Sequence, residues 1–174
     1  MPNWCDNHVT LRHRDVKKLE AAVEAFKENK LFQHFIPLPE TGWDWNFCVD
    51  NWGTKWEADM DADLTVEGDT VRCTFLTAWS PPIGVYKAMC EQGFEVEAMY
   101  CEPGMCFVGK IVGDELDFND DYYEYGSEDS DTVRELIGEE LDDAFGISES
   151  MAQWEEERLQ EELDDIVNEE NKDE

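Results

Sequence analysis

The sequence predicts an α+β fold: an antiparallel sheet with helices on one face, a helical insertion, and an acidic helical extension at the C-terminal end. Three observations carry this. Apolar residues alternate at period two, or recur at helical spacing, in the order strand, helix, strand, strand, helix, strand. Four tryptophans within 43–56 interrupt that order between the first helix and the hairpin. The charge is lopsided: 174 residues hold 44 acids against 13 bases, net −31, and 26 of the acids but only 3 of the bases lie in 114–174.

Residues 4–13 place Val9 and Leu11 in alternation and suit a half-buried strand. Asp15 can cap a helix running to about Asn29, whose Val16, Leu19, Ala22, Val23 and Phe26 share one face. Residues 31–35 extend it by a turn, and Pro37 and Pro39 end it, lacking the amide hydrogens a helix needs. In the tryptophan stretch, Trp45, Val49, Trp52 and Trp56 are spaced by four, three and four, as on one face of a short helix that Gly53 interrupts. Residues 64–66 and 70–77 flank a Glu-Gly-Asp turn and read as a hairpin with Val71, Cys73 and Phe75 facing one way. Ser80-Pro-Pro starts a second helix, with Ser80 as cap, that stops at Gly93. Alternation returns at 94–100, 105–112 and 115–118. The βαββαβ order is that of a ferredoxin-like sandwich, occupying 1–119 with the tryptophan-rich insertion at about 40–60.

From 120 the composition changes. Residues 120–131 form an acidic link containing tyrosines, 131–145 is amphipathic, and Ser148 or Ser150 can cap a last helix reaching about Asn168. Its apolar stripe (Ala152, Leu159, Leu163, Ile166) is narrow, and like charges at i, i+4 make the helix depend on packing or a partner. Residues 120–174 thus read as an acidic helical extension. Such a field repels nucleic acid and anionic membrane and favours cationic partners. Six cysteines without a Cys-x-x-Cys pair, no signal peptide and no apolar run of about 18 residues point to thiols in a cytosolic protein.

Three blocks, Met1-Pro-Asn-Trp-Cys-Asp-Asn7, Trp52-Gly-Thr-Lys-Trp56 and Phe75-Leu-Thr-Ala-Trp-Ser-Pro-Pro82, resemble in this order the YubB-like family of phage- and plasmid-encoded proteins. Residues 100–109 are similar to a later motif of that family, so the resemblance runs to about Asp117. It implies a ferredoxin-like domain and a mobile-element origin, and it brings no activity.

Candidate sites are few. Lys55 between Trp52 and Trp56 reads as a cation–π contact or a stem bracing the indoles. His8, His13 and His34 lack the spacing of a zinc site. Cys101 and Cys106 flank a Pro-Gly turn and could face each other across a hairpin. Asp117, Asn119, Asp121 and Glu128 fall at positions 1, 3, 5 and 12 of a calcium loop, but Tyr122 stands where the loop needs glycine. No phosphate loop, nucleophile elbow or triad appears, so no catalytic residue, cofactor or metal ligand is assigned. Trp4, Trp45, Trp52, Trp56 and Trp79 are assigned to the core. The acidic extension keeps Phe145, Trp154 and three tyrosines, which solvating tails lack. The expectation is a non-enzymatic cytoplasmic protein. Glu139, Glu140, Asp142, Asp143, Glu155, Glu156, Glu157, Glu161, Glu162, Asp164 and Asp165 would bind the nucleic-acid cleft of a basic host protein as a nucleic-acid mimic. The alternative is a regulatory or ligand-binding ferredoxin-like module whose site is the tryptophan stretch and whose acidic extension only solubilises.

Overall fold

The computed structural model describes residues 3–58 and 63–170, with side chains to 164. It forms two compact units, 1–124 and 125–174.

In the first unit, strand β1 (Trp4–Arg12) is followed by α1 (Val16–Lys27), α2 (Leu31–Phe35) and α3 (Trp45–Trp52). The hairpin β2 (Leu64–Glu67) and β3 (Thr70–Ala78), helix α4 (Ile83–Glu91), and strands β4 (Glu95–Glu102), β5 (Phe107–Gly113) and β6 (Phe118–Glu124) complete it. The sheet order is β2-β3-β1-β4-β5-β6, with every pair antiparallel. Its first four strands have the order of a ferredoxin-like sandwich, and β5 and β6 continue the β4 edge as a meander.

Register puts the apolar positions on one face. Val9 sits opposite Cys73 and Ala98, and Leu11 opposite Val71 and Val96. All are buried with Leu19, Ala22 and Phe26 of α1 and Val85, Tyr86 and Met89 of α4. Asp6, His8, Thr10 and Arg12 alternate onto the other face. Trp52 anchors the insertion: it is 1 % exposed, Phe32 meets it edge-on at 5.7 Å, and its indole N–H donates to the Ile36 carbonyl at 2.9 Å.

Several local expectations are corrected. Asn29 takes a left-handed φ of 58°, so 31–35 is a separate helix and not an added turn of α1. Val16, expected on the buried face, is half exposed because it opens the helix. Ser80 does not cap α4; its hydroxyl donates to the Gly53 carbonyl at 2.5 Å, and Pro82 occupies the cap position. Both prolines precede the helix, and the Pro82 carbonyl accepts from the Val85 and Tyr86 amides at 3.0 and 3.1 Å.

The first part of the acidic link, 120–124, is in fact the end of strand β6. Residues 115–117 form the turn before it, where the Asp114 carboxylate accepts from the Leu116 and Asp117 amides at 2.7 and 3.0 Å. Residues 118–124 then pair along β5, with Asp121 opposite Lys110. The neighbouring strand supplies an order that acidic residues do not promote locally.

The second unit holds α5 (Val133–Ile137), α6 (Glu139–Phe145) and α7 (Ile147–Glu170). The amphipathic run 131–145 is split at Gly138, whose φ is +86°. Ser148 lies inside the last helix rather than before it.

Candidate functional site

Two places in the chain concentrate unusual chemistry, and each is described within its own unit. In the second unit, Val133, Ile137, Leu141 and Ile147 are buried, leaving the carboxylates to choose between structure and solvent. Asp142 belongs to the structure. It is 2 % exposed and accepts from the Ser148 amide and hydroxyl at 2.7 Å each and from the Arg134 guanidinium at 2.5 Å, tying α5, α6 and the start of α7 together. Burial alone would raise its carboxyl, but the Ser148 and Arg134 hydrogen bonds outweigh it and hold the group below the usual carboxylate range.

Glu155 is also internal in role, accepting from the Ser130 amide at 3.0 Å and hydroxyl at 2.6 Å. Asp143 pairs with Arg134 at 2.8 Å and Glu139 more loosely at 3.8 Å. Glu162 pairs with Arg158 one turn away at 3.5 Å. Asp142 and Glu155 are therefore withdrawn from the expected partner-binding set.

Glu140, Glu156, Glu157, Glu161 and Asp164 are exposed, and the side chain of Asp165 lies outside the described residues. Among the described residues, no cation pairs with Glu156, Glu157, Glu161 or Asp164. The same helix leaves Trp154, Leu159 and Leu163 57, 62 and 56 % exposed. The Arg158 guanidinium lies 4.8 Å from the Trp154 ring centroid.

The second place is the tryptophan stretch, and here the core assignment is corrected. Trp52 alone of the five is buried; Trp4, Trp45, Trp56 and Trp79 are each more than a third exposed, as is Trp43. Trp45 is the first residue of an eight-residue helix. It stands about 10 Å along the axis from Trp52, beyond the end of the core that Cys48 and Trp52 reach. Gly53, at φ +90°, ends that helix, so the four-residue spacing to Trp56 no longer describes a helical face.

Three of the exposed rings, Trp4, Trp56 and Trp79, cluster, and Lys55 lies over two of them. The Trp56 centroid is 6.3 Å from that of Trp4 and 6.4 Å from that of Trp79, the latter pair nearly parallel at 24°. The Lys55 ammonium is 4.1 Å from the Trp56 centroid and 5.3 Å from that of Trp79. The Trp43 indole donates to the Lys55 carbonyl at 3.2 Å. Helical spacing suggested a buried face, whereas exposure depends on what the fold sets opposite each ring.

A buried polar network joins the three sequence blocks. Asn7, fully buried, donates to the Cys5 carbonyl at 3.0 Å and to the Thr77 hydroxyl at 2.9 Å, and accepts from the Tyr86 hydroxyl at 3.0 Å. Burial holds the Tyr86 phenol well above its ordinary range, so it remains a donor. The Thr77 hydroxyl donates to the Ser80 carbonyl at 2.9 Å, and Thr54 donates to the Ala78 carbonyl at 2.9 Å. Glu57 caps α2, accepting from the Phe32 and Gln33 amides at 2.6 and 3.2 Å. These groups hold the backbone segments in place.

The remaining candidates form no site. Asn119 and Asp121, two of the calcium-loop positions, lie along β6, where alternate residues are about 6.8 Å apart. No group of three metal-ligating side chains occurs among the described residues. The six cysteines are thiols, five of them buried. A cleft of about 580 Å³ is lined by Arg12, Arg14 and Lys18 but also by Asp69, Glu91, Glu95, Asp114 and Glu115, so its charge is mixed, with acids in excess. No helix among the described residues is long and apolar enough to cross a membrane.

A family model described as the ferredoxin-like domain in Api92-like protein matches residues 51–165. The match continues through the acidic helices, past Asp117 where the motif resemblance ended. A crystal structure of protein Api92 from Yersinia pseudotuberculosis is similar in fold, with a TM-score of 0.52 over 74 % of this chain and 99 % of that chain at 11 % identity. No curated protein matches the chain. With its sheet order, and with two thirds of its length under that family model, the chain belongs to the Api92-like family through its ferredoxin-like domain.

Proposed function

We propose that the protein is a non-enzymatic binding protein whose helix α7 docks on a basic partner. The supporting observation is the combination on one helix of exposed Leu159 and Leu163 with Glu156, Glu157, Glu161 and Asp164, which lack cationic partners among the described residues. Exposed apolar side chains rimmed by charge mark an interface, and like carboxylates a turn apart repel by a few tenths of a kcal/mol per pair until a cation neutralises them. Over 24 residues the helix spans about 36 Å, a length over which its carboxylates offer a strip of negative charge resembling a nucleic-acid strand. The reading is therefore a nucleic-acid mimic, of phage or plasmid type, that occupies the cleft of a host DNA- or RNA-binding defence or repair protein in the cytosol.

Electrostatic steering would make association fast and salt-sensitive. Affinity capture from host lysate with the full chain, at low and high salt and with duplex DNA as competitor, tests this. Basic nucleic-acid-binding proteins should be retained at low salt, released by salt or DNA, and lost when Glu156, Glu157 and Glu161 are all changed to Lys. If wild type and this variant retain the same proteins, the reading fails.

A further inference from the structure

A second site, independent of the acidic helices, lies on the tryptophan platform. We infer that Trp4, Trp56 and Trp79 form an aromatic receptor for a quaternary or methylated ammonium group, with Lys55 as its resident occupant.

The geometry carries this. The Lys55 ammonium stands 4.1 and 5.3 Å from the Trp56 and Trp79 centroids, inside the roughly 6 Å over which an indole face attracts a cation. Among the described residues no carboxylate pairs with Lys55, although the chain has 44 acids. The rings are the partners that its charge has found.

The platform is also held in place before any ligand arrives. Trp79 takes a left-handed φ of 68°, a conformation that a bulky side chain adopts only where the surroundings impose it, and its amide donates to the Asn3 carbonyl at 2.9 Å. The Thr54 and Ser80 hydroxyls cross-link the segments bearing Trp56 and Trp79, reaching the Ala78 and Gly53 carbonyls. Each ring is nonetheless more than a third exposed and open to a ligand.

The cation chemistry decides the ligand class. A primary ammonium is strongly hydrated and holds three donors that prefer water or carboxylate. A quaternary ammonium has no donor and sheds its water easily, so it gains more from the same indole faces and displaces Lys55. The net charge of −31 raises the local concentration of cations. A nucleobase could stack on the same rings, but its phosphates would meet that field as repulsion.

The test uses the full chain labelled with ¹⁵N, following the indole N–H signals during titration with choline and, separately, with its neutral isostere 3,3-dimethylbutan-1-ol. Choline should shift the Trp56 and Trp79 signals saturably, with a dissociation constant on the order of millimolar for a small, partly exposed cation, and the alcohol should not. Lys55→Gln should tighten choline binding several-fold by removing the competitor. Trp79→Gly, which suits the positive φ, should abolish binding while the thermal unfolding midpoint is maintained. A trimethyl-lysine peptide that binds more tightly than choline assigns the ammonium to a partner chain; the reverse assigns it to a small molecule. Equal responses to choline and the alcohol, no saturable shift in wild type and Lys55→Gln, or weaker choline binding in Lys55→Gln would each overturn the inference.

Discussion

Replacing Asn7 by alanine should destabilise the first unit by about 3 kcal/mol, and changing Tyr86 to phenylalanine as well should add little to that loss. Asn7 is fully buried and saturated by its partners, with its amide nitrogen on the Cys5 carbonyl and Thr77 hydroxyl and its oxygen receiving the Tyr86 hydroxyl. Alanine removes the bond to Thr77, worth about 1 kcal/mol net, and strands the buried Tyr86 hydroxyl at a cost of about 1–3 kcal/mol. Tyr86→Phe alone strands the Asn7 oxygen instead, costing about 1–2 kcal/mol. In the double variant neither group is stranded, so the two effects should fall short of additivity by about 1–2 kcal/mol. Urea unfolding of the four proteins, followed by tryptophan fluorescence and by circular dichroism, measures the cycle. Additivity to within about 0.3 kcal/mol would show that Asn7 and Tyr86 do not satisfy one another, and the network reasoning would be wrong.

Three further outcomes are expected. Gly84→Ala should destabilise severely, by about 3 kcal/mol or more, because the added Cβ would lie 1.9 Å from the Asn51 carbonyl oxygen where α3 and α4 touch; a thermal midpoint within a degree of wild type would refute the close approach. Asp142, whose folded carboxyl is held below its unfolded value, contributes stability that is present above the usual carboxylate range and lost as pH falls through the depressed folded value; helicity of the second unit measured from pH 6 down to pH 2 should fall at the acid end, and Asp142→Asn should flatten that fall. Native thiol titration at pH 8 should show one fast-reacting group, Cys106, because burial pushes the Cys73 and Cys90 thiols up to about 12 and about 11 and the other five cysteines are enclosed; rapid labelling of Cys73 in folded protein would contradict its placement.

Much of the fold was legible in the sequence because its elements are locally coherent. Val9 and Leu11 alternate, Leu19, Ala22 and Phe26 recur at helical spacing, and the hairpin turn at 67–69 lies between two alternating runs. Such periodicities survive in the structure because each buries its apolar side against the same core. Strand β6 was not legible, since its acidic residues gain strand geometry only from β5. Nor was the identity of the structural carboxylates: Asp142 and Glu155 look like the other acids around them, and only Ser148, Arg134 and Ser130 distinguish them.

The sequence by itself determined the α+β order, the insertion of α3 between α1 and the hairpin, and the concentration of negative charge after residue 114, since these follow from local pattern and composition. Only the tertiary structure decided which tryptophans the core encloses. An indole is equally apolar wherever it stands in the chain, but Trp52 has Phe32 and the Ile36 carbonyl against it, while Trp4, Trp56 and Trp79 have one another, Lys55 and solvent. Exposure is a property of what the folded chain brings opposite a side chain, and neighbours brought together from β1, the loop after α3 and the loop after β3 are set by topology.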